Sequence, residues 1–268
     1  MMRFKKGGKY MGILKKVMVS TLGLGAAKID TIIHTKNIIP GDRIEGICKV
    51  KGGKIEQYIN GISICVYTSY KKEANDTTIQ VEQRIQEHII KMDKTILPDE
   101  EYEVDFNFTL DKRVPVTIHK SKVWISTYLD IKGGINKSDR DYIKVGTEDC
   151  VQNVINAILD LGFSLREVEN EHCKAKVNGF NFVQEFEFVP TKGKFRGKLD
   201  ELELVFIHTN THMDILLEVD RKVRGLMSFI SEALELDETK LRIRLENSRK
   251  YSFDEIKNEI ERLLKIYS

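Results

Sequence analysis

The chain has 268 residues, 41% of them hydrophobic and 31% charged, with 43 basic against 41 acidic side chains and a formal net charge of +2. This length favours two domains over one, and the apolar share is enough for packed cores. So even a charge balance argues against a nucleic-acid partner, and no run of about 18 apolar residues predicts stable membrane insertion.

Residues 1–16, MMRFKKGGKYMGILKK, carry six basic residues and no acid. VMVSTLGLGAAKID (17–30) follows, and together they imitate a secretory leader. Ser20, Thr21, Gly23 and Gly25 interrupt the apolar stretch, so a cytoplasmic location is expected. Met11 offers a second start, which would make 1–10 an upstream or flexible extension.

Period-2 alternation then dominates. PGDRIEGICKVKGG (40–53) is a strand between a Pro-Gly turn and a glycine pair. In GISICVYTSY (61–70), Ile62, Ile64 and Val66 are in phase. Residues 77–92 fit helix and strand equally by spacing, and their β-rich surroundings favour strand. YEVDFNFTL (102–110) sets Tyr102, Val104, Phe106, Phe108 and Leu110 against a polar row, as in a strand with one wet face. KVWISTYLDI (122–131) has large side chains on both faces and reads as a central strand.

The second half opens with a predicted helix over 146–163. Thr147 is its expected cap, Gly162 its stop, and Val151, Val154, Ile155, Ile158 and Leu159 its buried stripe. Strands are expected at 180–190, 199–207, 213–219 and 240–246, with helical spacing over 222–234. Ser252 and Glu255 form a capping box for a terminal amphipathic helix, whose Phe253, Ile256, Ile260, Leu263 and Tyr267 share a face. That face either packs on the second domain or docks a partner. The whole reads as mainly β, and the composition break near Gly133-Gly134 divides it into an N-terminal β-sandwich (11–132) and a C-terminal one (133–249, with a helix near 147–161), followed by the helix at 250–268.

Cys48, Cys65, Cys150 and Cys173 form no C-x-x-C pair and read as reduced structural thiols. His208 and His212 lie in a polar turn without an acid or cysteine to complete a metal set. No nucleophile elbow, zincin or Walker motif occurs. Neither an enzyme nor a cofactor is therefore expected. Asp139, Arg140 and Asp141 form a charged cluster where the chain passes between the two predicted domains. Lys137 and Lys144 oppose a cation there, and Asn136 removes a third charge. A polar interdomain joint with Asp220, Arg221 and Arg224 is the favoured reading, with Arg221 or Arg224 facing the aspartates.

Several stretches resemble the bacterial sporulation-control protein family, which is arrestin-like. They are GAAKIDT (25–31), PGDRIEGICKVKGGKIEQYINGISICVYTSY, PVTIHKSKVWISTYLDI, SDRDYIKV, FVQEFEFVPTKGKFRGKLDELELVF and LLEVDRKVRGL. The likeness spans about residues 11–246. Asp111 stands where the family has proline, and Asn136 where an acid is common. The resemblance implies two tandem arrestin-like β-sandwich domains and a cytoplasmic, non-enzymatic adaptor that acts through protein partners in sporulation or cell-cycle control. Self-association is left open. Two alternatives are a carbohydrate-binding or hydrolytic sandwich that uses Asp139 and Asp141, and a membrane-surface adaptor that uses the basic arm.

Overall fold

The computed structural model describes residues 25–74, 77–132, 138–219 and 242–266. The basic arm, Asp220, Arg221, Arg224, the helical pattern at 222–234 and Tyr267 lie outside the described residues. Among the described residues, twelve strands and two helices follow in chain order: β1 Lys28–Ile33, β2 Arg43–Lys51, β3 Gln57–Ala74, β4 Thr77–Ile96, β5 Glu101–Thr109, β6 Val123–Ile131, β7 Ser138–Ile143, α1 Asp149–Asp160, β8 Phe163–Val177, β9 Phe180–Pro190, β10 Leu202–His208, β11 His212–Val219, β12 Arg242–Glu246 and α2 Phe253–Leu264. The protein is mainly β.

Two compact units share the chain. Unit 1 takes residues up to Tyr67, Arg84–Leu110 and Trp124–Ile143; unit 2 takes Thr68–Gln83, Asp111–Val123 and residues from Lys144 on. The division falls inside β3 and β4, because each strand is long enough to serve both units.

In unit 1, β1, β2 and β5 form one antiparallel sheet in the order β1-β2-β5. The second sheet places β6 between β3 and β7, with β4 also on β3. The sheets face each other through apolar rows: Ile44, Cys48, Val50, Phe106 and Phe108 from one, Ile62, Ile64, Ile125 and Leu129 from the other, all buried. His88 stacks on Phe108, with ring centroids 5.5 Å apart. β5 buries Phe106 and Phe108 and exposes the polar row, as its alternation predicts. β6 is buried on both faces except at Tyr128 and Asp130, as a central strand requires. Residues 77–92 are strand, so the local β context outweighs their helical spacing.

In unit 2, β8 to β12 pair in the order β12-β11-β10-β9-β8, and the far half of β3 joins β8 in parallel at Lys71↔Glu171. One face of this sheet carries Val168, Phe186, Phe188, Leu202, Leu204, Ile215, Leu217, Ile243 and Leu245 into a core closed by both helices. α1 supplies Val151, Val154, Ile155 and Ile158 to it. Leu159, placed on the stripe by spacing, is instead 37% exposed.

The helix starts one residue later than Thr147 would cap it. Glu148 holds the N-cap position without a side-chain cap bond, and Thr147 Oγ1 donates to Gln152 Oε1 at 2.7 Å. Gly162 does end the helix, with φ +101 and Lys192 O so close that any Cβ would clash. A buried polar knot ties β3 to β8. Asn170 Nδ2 donates to Thr68 Oγ1 (2.9 Å) and to Ser69 O (3.0 Å), while Thr68 Oγ1 donates to Lys122 O (2.8 Å). All four cysteines are free thiols.

Candidate functional site

Residues 138–143, the charged cluster of the sequence, form strand β7 of unit 1. Alternation sends Asp139 and Asp141 to one side and Arg140 and Tyr142 to the other. On the acidic side, Asp139 Oδ2 accepts the Thr31 N–H at 2.9 Å, and Oδ1 accepts the Arg140 N–H at 2.9 Å. β1 is an edge strand of its sheet, so Asp139 satisfies a donor that β2 does not. Thr31 Oγ1 in turn donates to Thr127 Oγ1 at 2.8 Å and links the two sheets. Burial pushes the nearby Cys48 thiol up to about 11, the Thr31 hydroxyl lowers it in part, and Asp139 raises it again.

Asp141 is the titratable member. Burial, then the charge and hydrogen bond of Asp139, then Asp30, push its carboxyl up to about 6. Its Oδ2 is buried without a hydrogen-bond partner. Asp141 therefore keeps its proton up to about pH 6, well above the usual carboxylate range. A carboxyl raised in the fold adds stability below its ordinary value and loses it as pH rises through about 6. Asp141→Asn, which mimics the protonated form, should exceed the wild type by about 1 kcal/mol near ~pH 7.5 and match it near ~pH 4, the figure allowing for partial solvent screening. Urea midpoints at both pH values check this, and an equal difference at the two would reject it.

On the other side, the Arg140 guanidinium lies 4.8 Å from the Trp124 ring centroid. Trp124 stacks on Tyr67 at 5.8 Å and tilts against Tyr142 at 5.9 Å. Such cation–π and ring contacts hold β7 by its basic face as well as its acidic one. Asp30, Thr31 and Trp124 complete this site, and sequence reasoning missed them. Trp124 was visible only as an aromatic on the far row of β6, and nothing marked Thr31.

The terminal helix has the expected capping box. Ser252 Oγ accepts the Glu255 N–H (3.2 Å) and Glu255 Oε2 accepts the Ser252 N–H (2.8 Å). Ile256, Ile260 and Leu263 are buried in the core of unit 2, so the chain itself covers that part of the proposed docking face; Phe253 is 37% exposed.

The outer face of the unit 2 sheet carries a second acidic array. Glu167, Glu187, Glu203 and Glu218 are direct cross-strand neighbours in a line over β8, β9, β10 and β11. Lys120 pairs with Glu167, Lys71 with Glu169, and Arg166 with both Glu187 and Glu201. Beside them, burial and then Glu203 and the neighbouring glutamates raise Glu185 to about 8. Carboxylate oxygens of Glu187, Glu201 and Glu203 come within 4.8 Å of one another. The Arg166 guanidinium among them opposes a cation. Among the described residues no helix is long and apolar enough to cross a membrane.

Among the described residues the protein is thus mainly β, with two compact units and two helices, both in the second unit. The family model described as SpoOM protein matches residues 14–223, and the chain belongs to that family. It is 39% identical over 258 residues to the sporulation-control protein spo0M of Bacillus subtilis (strain 168), covering 96% of this chain and 100% of the relative. The crystal structure of Spo0M from Bacillus subtilis superposes with a TM-score of 0.82 at 38% identity, over 91% of this chain and 100% of that one.

Proposed function

We propose that this chain is a non-catalytic, cytoplasmic adaptor that regulates sporulation or cell-cycle control through protein contacts. The family and the name of its Bacillus relative support the regulatory setting. Asp139 also favours a non-catalytic reading, because both its oxygens accept backbone N–H groups.

The observation that carries the contact mechanism is a strand edge with no partner strand among the described residues. Among the described residues β4 is bonded in its sheet to β3 alone, and over 88–96 in unit 1 its other edge offers backbone donors and acceptors for strand addition. Gln86 Nε2 reaches Thr109 O at 2.8 Å, and Ile89, 64% exposed, gives an added strand an apolar contact. A photo-crosslinking residue at position 89, expressed in the sporulating host, should capture a specific protein that the same residue at position 103 does not. Ile89→Lys should lower spore yield. No adduct at 89 together with a normal yield for Ile89→Lys would overturn the mechanism.

A further inference from the structure

A cavity of about 500 Å³ lies in unit 2, lined by Lys112 and Arg113 after β5, Asn178 in the β8–β9 turn, His208 at the end of β10, and Thr209 and Asn210 between β10 and β11. That size is in the range of small-molecule sites, roughly 300–1,000 Å³. Asp111 is its one acidic group and is already occupied. Its carboxylate accepts from Nε of Arg113 at 2.8 Å, from Nη2, and from the Arg113 backbone N–H at 2.9 Å. Burial works against the charge on Asp111, but these bonds outweigh it and hold the carboxyl below its ordinary value.

The Asp111–Arg113 pair leaves hydrogens on both terminal guanidinium nitrogens. The guanidinium is held in place as well. Nη1 donates to Asn178 O at 3.0 Å, and Cζ sits 4.8 Å from the Phe180 ring centroid. Asn178, at φ +51, donates through Nδ2 to His208 O at 2.7 Å and joins the two turns. Thr209 Oγ1 accepts the His212 N–H at 3.0 Å and donates to His212 O at 2.7 Å. The walls are therefore fixed before any ligand arrives, which lowers the cost of binding. Lys112 is exposed, and it stands beside a cavity whose one carboxylate is spent.

We propose that this cavity binds a small molecule through an oxyanionic group, phosphate or carboxylate, with Lys112 and Arg113 as its cationic side and His208 as a ring donor. The inference stands apart from the adaptor reading. Burial lowers the His208 pKa, Glu148 works against this, and Lys112 adds to it. A bound anion reverses the balance, because it favours the protonated ring.

The test is the titration of the His208 ring by NMR in the full chain, assigned with His208→Gln. Inorganic phosphate and acetate are each compared with chloride at equal ionic strength. A saturable rise of the midpoint by about half a pH unit or more is expected in at least one of them, and which anion acts identifies the group. Lys112→Ala, at an exposed position, should keep the fold and weaken the effect about tenfold. No rise beyond chloride with either anion, or an unchanged response in Lys112→Ala, would overturn the proposal.

Discussion

Asp214→Ala is expected to cost about 3 kcal/mol of unfolding free energy near neutral pH, the low end of the range for removing one member of a buried ion pair. Asp214 is 3% exposed, on β11, and its side chain faces two arginines of the neighbouring β12. Arg242 donates to Oδ2, Arg244 Nε donates to Oδ1 at 2.9 Å, and His212 Nε2 lies 3.2 Å from Oδ2. Alanine would leave two guanidinium groups side by side without their anion. Arg244 is partly exposed and can regain water, which is why the low end applies.

Burial by itself would raise the Asp214 carboxyl, but the arginine bonds hold it at about 2. A depressed carboxyl stabilises above its ordinary value and stops doing so as pH falls through about 2. The gap between wild type and variant should therefore narrow towards that pH. Urea unfolding at neutral and acid pH measures both effects. A neutral-pH loss under about 1 kcal/mol would show that the arginines are resolvated instead.

Ile260→Ala should cost about 2–5 kcal/mol, the usual loss for a large aliphatic side chain removed from a closed core. Ile260 is fully buried and shares its core with Ile158 of α1 and Phe188 of β9. Phe253→Ala on the same helix, at a 37% exposed position, should change stability by no more than about 0.5 kcal/mol. Thermal or urea unfolding of the two variants separates a helix that completes the core from one that waits for a partner. Equal small losses would favour the second.

Strands with clean alternation were legible in the sequence, as were the capped helix at 252 and the stop at Gly162. Those signals are local: a two-residue period, a side chain that meets a backbone N–H three residues on, a glycine at positive φ. β8 was not legible. Its register shifts between Leu165 and Glu167, so the row that points to the core changes parity within one strand. The split inside β3 and β4 could not be read either, because alternation runs through Tyr67 and Thr68 without a break.

At the candidate site, the sequence marked Asp139 and Asp141 but set them opposite Arg221 or Arg224, which lie outside the described residues. The distant partner that the structure gives Asp139 is the backbone N–H of Thr31, 108 residues away in the sequence. A main-chain donor has no side-chain signature, so no residue pattern could have announced it.

The line of glutamates across unit 2 has a consequence for how that sheet finds its alignment. A strand that slips by one position turns its inward row outward and its outward row inward. Such a slip in β10 would carry Glu203 to the side now held by Leu202 and Leu204, both fully buried. The desolvation cost of one unpaired carboxylate is several kcal/mol. The apolar core rewards the correct pairing of β9, β10 and β11, while the glutamates penalise its nearest competitors. The charges work as alignment pins, rejecting misassembled sheets as the chain folds.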